Sequence, residues 1–108
     1  MAETRLEQLL ALLKTEPEDA FLNHALAMEY LGMGEEQKAI ETMEKVIHFH
    51  PDHTGTYYHL GHALLRANKR DEALAVWQLG IQKCKELKKQ HHLAELQSAY
   101  NEVLFEDD

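Results

Sequence analysis

Shifted by 34 residues, this chain falls on itself. Pro17 meets Pro51, Leu26 meets Leu60, Ala27 meets Gly61, Leu31 meets Leu65, Ala39 meets Ala73, Ile40 meets Leu74, Met43 meets Trp77 and Ile47 meets Ile81. A period of that size marks one supersecondary unit used repeatedly, because a single unit of two elements has too little apolar surface to bury alone. Gly34 falls on Asn68 at the same phase. Both residue types tolerate the left-handed backbone that ends a helix and redirects the chain, so they mark one turn twice. Between the marks the apolar spacing is helical. Leu22, Ala25, Leu26 and Tyr30 form one stripe, and Ala39, Ile40, Met43, Val46 and Ile47 form the next. The second copy repeats this with Tyr57, Leu60 and Leu64, then Ala73, Leu74, Trp77 and Ile81. Each copy reads as a helix, a turn and an antiparallel helix. Pro51 opens the second copy, since proline suits a helix start and disrupts a helix middle.

The period runs on in both directions. Leu6, Leu9, Leu12 and Leu13 align with Ile40, Met43, Val46 and Ile47, so the N-terminal segment reads as the second helix of an incomplete copy. Thr4 and Glu7 have the spacing of a capping box, which marks a helix start. Leu93, Leu96, Tyr100, Val103 and Leu104 make a last amphipathic helix. Helices are expected near 4–14, 19–32, 35–49, 53–67, 70–88 and 91–105. The organisation is a single domain over 1–108: a half-repeat helix at 4–14, a first repeat at 19–51, a second at 53–88 and a capping helix at 91–105. Two repeats are few for a stable stack, and the flanking helices make up the number.

The pattern resembles the tetratricopeptide repeat (TPR), a 34-residue helix-turn-helix with a large residue, Leu-Gly and an aromatic in its first helix, and Ala, an aromatic, Ala and Pro in its second. In the second copy Tyr57, Leu60, Gly61, Leu64, Ala73, Trp77 and Gly80 stand at those places, with Lys85 where the proline belongs. In the first copy Asn23, Leu26, Ala27, Tyr30, Ala39, Met43, Val46 and Pro51 do. Asn23 and Lys85 are the departures, and Lys85 implies a helix that overruns its normal stop. The resemblance implies an all-α fold, an α-α superhelix (TPR solenoid) of about six antiparallel helices with a groove on one side. It also implies a non-enzymatic interaction module or scaffold without cofactors. The partner would be another protein or a peptide, held in the groove by the inward positions of each first helix. Carried over by position, the groove residues are Phe21, His24 and Met28 in the first copy and Tyr58, His59, His62 and Arg66 in the second, with Leu31 and Leu65 shared between groove and core. The last helix would add His91, Ala94, Ser98 and Asn101. One variant of the family clamps a C-terminal carboxylate with lysine, asparagine and arginine. Those places hold His24, Met28, His59, Lys89 and Leu93 here, so that activity is not expected.

Charge and composition exclude several other classes. The chain is 44% hydrophobic and 28% charged with two prolines and five glycines, which fits neither disorder nor a many-turned β protein. Its net charge of −8 argues against nucleic acid as a partner. It lacks an apolar stretch of about 20 residues and a secretory leader, so no membrane association is expected and the cytoplasm is the expected location. The charge is uneven: residues 1–53 carry four Lys/Arg against eleven Asp/Glu, and residues 66–90 carry seven against three. The chain ends in Glu106, Asp107 and Asp108. The basic run Lys83, Lys85, Lys88 and Lys89 reads as a solvated face, or as a dock for the acidic part of a second copy.

Five of the eight histidines lie in HFHPDHTGTYYHLGH, residues 48–62. His59 and His62 are one helical turn apart and His24 sits on the preceding first helix, which leaves open a metal-binding or histidine-dependent enzyme. No carboxylate at ligand spacing completes the set, with Glu29 the nearest candidate, and no metal site is assigned. His48, His50 and His53 are expected to face water at the seam between copies. If all eight titrate near neutrality, net charge approaches zero by about pH 5.5. Cys84, the one cysteine, is flanked by Lys83 and Lys85 and is expected to be partly exposed. A homodimer or structural subunit remains a second reading, because Leu6, Leu10 and Leu13 on the unpartnered N-terminal helix form a possible contact face.

Overall fold

The computed structural model describes residues 3–106, as six helices joined by short turns. They are α1 (Arg5–Thr15), α2 (Ala20–Gly32), α3 (Glu36–Phe49), α4 (Gly55–Arg66), α5 (Arg70–Leu87) and α6 (Gln90–Leu104). Each boundary lies within two residues of its expected place. Asp107 and Asp108 of the acidic tail lie outside the described residues. Local chemistry sets the ends. At the first start, the Thr4 side chain accepts from the Glu7 amide while the Glu7 carboxylate accepts from the Thr4 amide, the reciprocal bond of a capping box. Asp19 caps α2 by accepting from the Leu22 amide at 2.8 Å. At the turns inside each repeat, Gly34 has φ 78° and Asn68 has φ 62°. The amide one residue beyond each turn donates five residues back, Glu35 to Tyr30 and Lys69 to Leu64, so orphan carbonyls at the helix end are satisfied. A third left-handed residue, Lys88 at φ 59°, ends α5 after 18 residues, against 14 for α3. The overrun expected from Lys85 is therefore present.

Every helix packs on its neighbour in the chain, and α4 also touches α6. The result is an elongated stack of 52 × 29 × 19 Å. Its interior is two joined clusters. One gathers Ala27, Ala39, Ile40, Met43, Leu60, Ala63, Leu64 and Ala73, and the other gathers Tyr57, Trp77, Cys84, Leu96, Ala99 and Val103. Small and large side chains are matched across each repeat. A Cβ added at Gly61 would overlap the Trp77 indole, which is fully enclosed. The first repeat holds Ala27 and Met43 at these positions, a slightly larger small residue against a slimmer large one. Gly80 is closed in the same way, since a Cβ there would lie 2.7 Å from Cβ of Tyr57. Close packing of this kind leaves no slack for an added methyl group.

The departure at Asn23 has a structural reason. Asn23 and Tyr57 are one repeat apart and bind equivalent atoms. Asn23 Nδ2 donates to the Pro17 carbonyl at 3.0 Å, and Tyr57 Oη donates to the Pro51 carbonyl at 2.7 Å. Each ties its first helix to the proline turn before it. Burial pushes the Tyr57 phenol up to about 12, with Asp52 and Cys84 adding to the shift, so it remains a donor. Cys84 corrects its expectation. The side chain is fully buried beside Trp77 and Leu96, and burial raises its pKa in spite of the neighbouring lysines. In α1, Leu9 is the buried residue and Leu6 and Leu13 are half-buried, whereas Leu10 and Leu12 are 41% and 54% exposed. The face that α1 leaves open is thus carried by Leu10 and Leu12 rather than by Leu6, Leu10 and Leu13.

Trp77→Ala is expected to cost about 3–5 kcal/mol by urea denaturation. Gly61→Ala alone is expected to cost about 1–3 kcal/mol through overpacking. Combining Gly61→Ala with Trp77→Met recreates the pair used by the first repeat, and the double variant should be more stable than the sum of the two single changes allows. Strict additivity would show that the two sites do not share this space.

Candidate functional site

The first helices α2, α4 and α6 carry the residues that the repeat assigns to its groove. On α4, Tyr58, His59 and His62 cluster tightly. The Tyr58 ring lies 4.6 Å from the His62 ring and 5.5 Å from the His59 ring, both edge-on. The Trp77 indole supports His62 from beneath at 5.0 Å and donates to the Tyr58 carbonyl at 3.3 Å. His62 is thereby wedged between two aromatic rings, and its Nε2 is buried without a hydrogen-bond partner.

Between α4 and α6 lies a cavity of about 410 Å³. Tyr58, His62 and Leu65 form the α4 wall, and Glu95, Ser98, Ala99, Glu102 and Val103, with Glu106 just beyond the helix, form the other. Of the seven groove residues carried over from the repeat, Tyr58 and His62 line this cavity. His59 stands beside it, with the Glu95 carboxylate near enough to act on its charge. His24 joins the cluster from α2, its ring 5.8 Å from His59. Met28 packs against the first core cluster, as do Leu31 and Leu65. Phe21 is 72% exposed and lies outside the aromatic cluster. Arg66 is exposed and paired with Glu36 on α3 at 2.6 Å. From the last helix, Ser98 enters the cavity wall and His91, Ala94 and Asn101 do not. The acidic lining was missed by the sequence reading. The signal was available, since Glu95 and Glu102 are two helical turns apart and Glu106 continues the same row.

The histidine seam differs from its expected exposure. Thr56 is fully buried, and its hydroxyl binds two imidazoles, His24 Nδ1 and His53 Nδ1, each at 2.9 Å. One hydroxyl proton serves one of these bonds, so at least one imidazole must donate. His53 is therefore a half-buried structural residue and not a water-facing one. His50 donates to the Glu18 carbonyl at 2.6 Å, and His92 binds Thr54 at 2.7 Å. Among the described residues, no group of three or more His, Cys, Asp or Glu is disposed to hold a metal ion.

Burial controls the protonation of this cluster. It holds His24 down to about 4, with the His53 and His59 charges adding to the effect. Burial is also the main cause lowering His53, His59 and His62; His50 acts further on the first, and Arg66 on the other two. Four histidines thus resist charging at mildly acid pH, and the expected loss of net charge by pH 5.5 is correspondingly smaller. The sign for stability follows from linkage: with a folded pKa below the unfolded value near 6.5, the unfolded chain binds more protons between the two values. Stability is full above about pH 6.5 and falls as pH drops toward about 4. Urea midpoints measured across that range should decline with acid. His24→Gln should flatten the slope by up to about one proton, and an unchanged slope would remove His24 from the account.

A model of the tetratricopeptide repeat matches residues 19–53. A tetratricopeptide repeat domain protein from Salinibacter ruber is 35% identical in its crystal structure, covering 79% of this chain and 94% of that one with a TM-score of 0.76. Its solution structure gives 37% identity, 81% and 88% coverage and a TM-score of 0.77. Two more distant structures share the fold. A protein from Bordetella parapertussis is 22% identical over 98% of this chain and 92% of its own, with a TM-score of 0.83. The TPR2B domain of yeast Sti1, solved in complex with pHsp70, is 19% identical over 91% of this chain and 78% of its own, also at 0.83. No curated protein matches the sequence. With its doubled helix pair, its left-handed turns at Gly34 and Asn68 and this degree of identity to a TPR domain, the chain belongs to the tetratricopeptide repeat family.

Proposed function

We propose that this chain is a protein-binding module that seats a peptide segment or helix along the first helices, centred on the cavity between α4 and α6. One observation carries the reading. The Tyr58 and His62 side chains line an open space of about 410 Å³ while the core beneath them is already closed by Trp77. Side chains with this placement are available for recognition without loss of the fold. The surface joins an aromatic and apolar wall, Tyr58 and Leu65, to a polar one, Glu95, Ser98 and Glu102, a composition that suits recognition of a partner chain. His24 and His59 extend it along α2 and α4, with the half-buried Met28 and the exposed Phe21 further along α2. The yeast Sti1 domain of the same fold, bound to pHsp70, is an example of a TPR domain holding a protein ligand. Binding rather than catalysis is the activity proposed, supported by the enclosed Cys84 thiol, whose pKa burial raises, and by His24 and His53, which are taken up in hydrogen bonds to Thr56. No described helix is long and apolar enough to cross a membrane, and the module is read as acting in the cytoplasm.

Self-association is a second reading, favoured by one observation. Leu10 and Leu12 are exposed on α1, which lies at one end of the stack with a single buried side chain, Leu9. Light scattering over a concentration series, with Leu10→Lys and Leu12→Lys as the variant, would show a dimer that dissociates on substitution.

The groove is tested by selecting random phage-displayed peptides on the whole chain. Tyr58→Ala with His62→Ala should weaken the selected peptides by about tenfold or more, as loss of a central aromatic anchor does elsewhere. Peptides that bind this variant as well as the parent chain would remove the groove from the mechanism.

A further inference from the structure

The cavity has walls of opposite character. On the α4 side stand Tyr58 and a neutral His62 whose buried Nε2 has no partner. On the α6 side stand Glu95, Glu102 and Glu106. Among the described residues, no lysine or arginine nitrogen comes within 4.0 Å of any of these three carboxylates; Glu95 alone has an ion-pair contact, with the exposed His91 at 3.7 Å. The two nearby arginines are bonded to groups other than these carboxylates, although Arg70 meets the cavity residue Val103 and the Arg66 charge acts on His62. Arg66 is paired with Glu36 at 2.6 Å, and Arg70 Nη2 donates to the Val103 carbonyl at 3.1 Å. Three carboxylates without a lysine or arginine partner stand around one concave space and focus a negative potential into it.

Resting on the groove reading above, we infer that the partner segment carries a cationic side chain, arginine in preference to lysine, which enters between the Tyr58 ring and the carboxylates of Glu95, Glu102 and Glu106. The chemistry matches on each side. A guanidinium is planar, stacks on an aromatic face and donates several hydrogen bonds in a fixed fork, whereas an ammonium is a strongly hydrated point charge. The carboxylates accept charge-assisted hydrogen bonds. An acidic segment is disfavoured by the same three charges. The chain's own run of Lys83, Lys85, Lys88 and Lys89 is the rival occupant, supplied by a second copy. It is less favoured because Lys83 is already held by Asp52 and Glu86 within its own chain.

Sequencing the selected phage peptides reads the inference directly. Arginine should be enriched over neutral and acidic residues. Affinity should fall by about tenfold or more in Glu102→Gln with Glu106→Gln, through loss of charge-assisted bonds. Added salt should weaken binding to the parent chain more than to that variant. Glu41→Gln with Glu44→Gln, on exposed α3 positions, should leave affinity unchanged. Both double variants keep their size, and thermal denaturation checks that they fold. Neutral or acidic peptides that still depend on Tyr58 and His62 would overturn the cationic inference and leave the groove standing. Peptides indifferent to Tyr58 and His62, or no selected peptides at all, would overturn both. A concentration-dependent dimer abolished by Glu102→Gln with Glu106→Gln would assign the cavity to a second copy and overturn the partner inference.

Discussion

The fit of Trp77 against Gly61 holds the rest of this structure in place. Without a side chain at Gly61, α4 and α5 approach until the indole fills the space between them, and the indole nitrogen reaches the Tyr58 carbonyl. The contact works in two directions. Inward, it closes the cluster that includes Tyr57, Cys84 and Leu96 and so fixes α6. Outward, it presses on His62 and sets the wall of the cavity. Core and cavity wall are two sides of one side chain.

Much of the architecture was legible because a repeated chain states its period twice. Gly34 and Asn68 differ in chemistry yet share a left-handed backbone, so their common phase revealed the turn where either alone would have been ambiguous. Asn23 shows the limit of pattern matching. Judged by size it breaks the repeat, but judged by hydrogen bonding it replaces Tyr57, because both donate to a carbonyl of the preceding proline turn. Residue class did not convey that equivalence; the direction of the side chain did.

The site was less legible than the fold. Repeat position indicates which helix faces the groove, but not how far the groove is filled. Tyr58 and His62 reach the cavity, whereas Arg66, four residues on from His62, turns away to Glu36. On α6 the repeat positions point to His91, Ala94, Ser98 and Asn101, whereas the cavity wall is formed by Glu95, Ser98 and Glu102 with Glu106 beyond the helix. The histidines of the seam carry the same difficulty. A seam between repeats looks like a loop in sequence, but here Thr56 is buried and draws two imidazoles inward with it. Burial then moves their protonation away from the range that free histidine would occupy.

The stack is long and its core is divided, which bears on how the molecule comes apart. An elongated array held by nearest neighbours does not need to lose all its order at once. The α1 end, anchored by Leu9, is the natural place for fraying to begin. The α4–α5 pair, locked around Trp77, is the natural place for it to stop. Order in this protein is therefore graded along one axis, like a zipper whose slider rests at the second repeat.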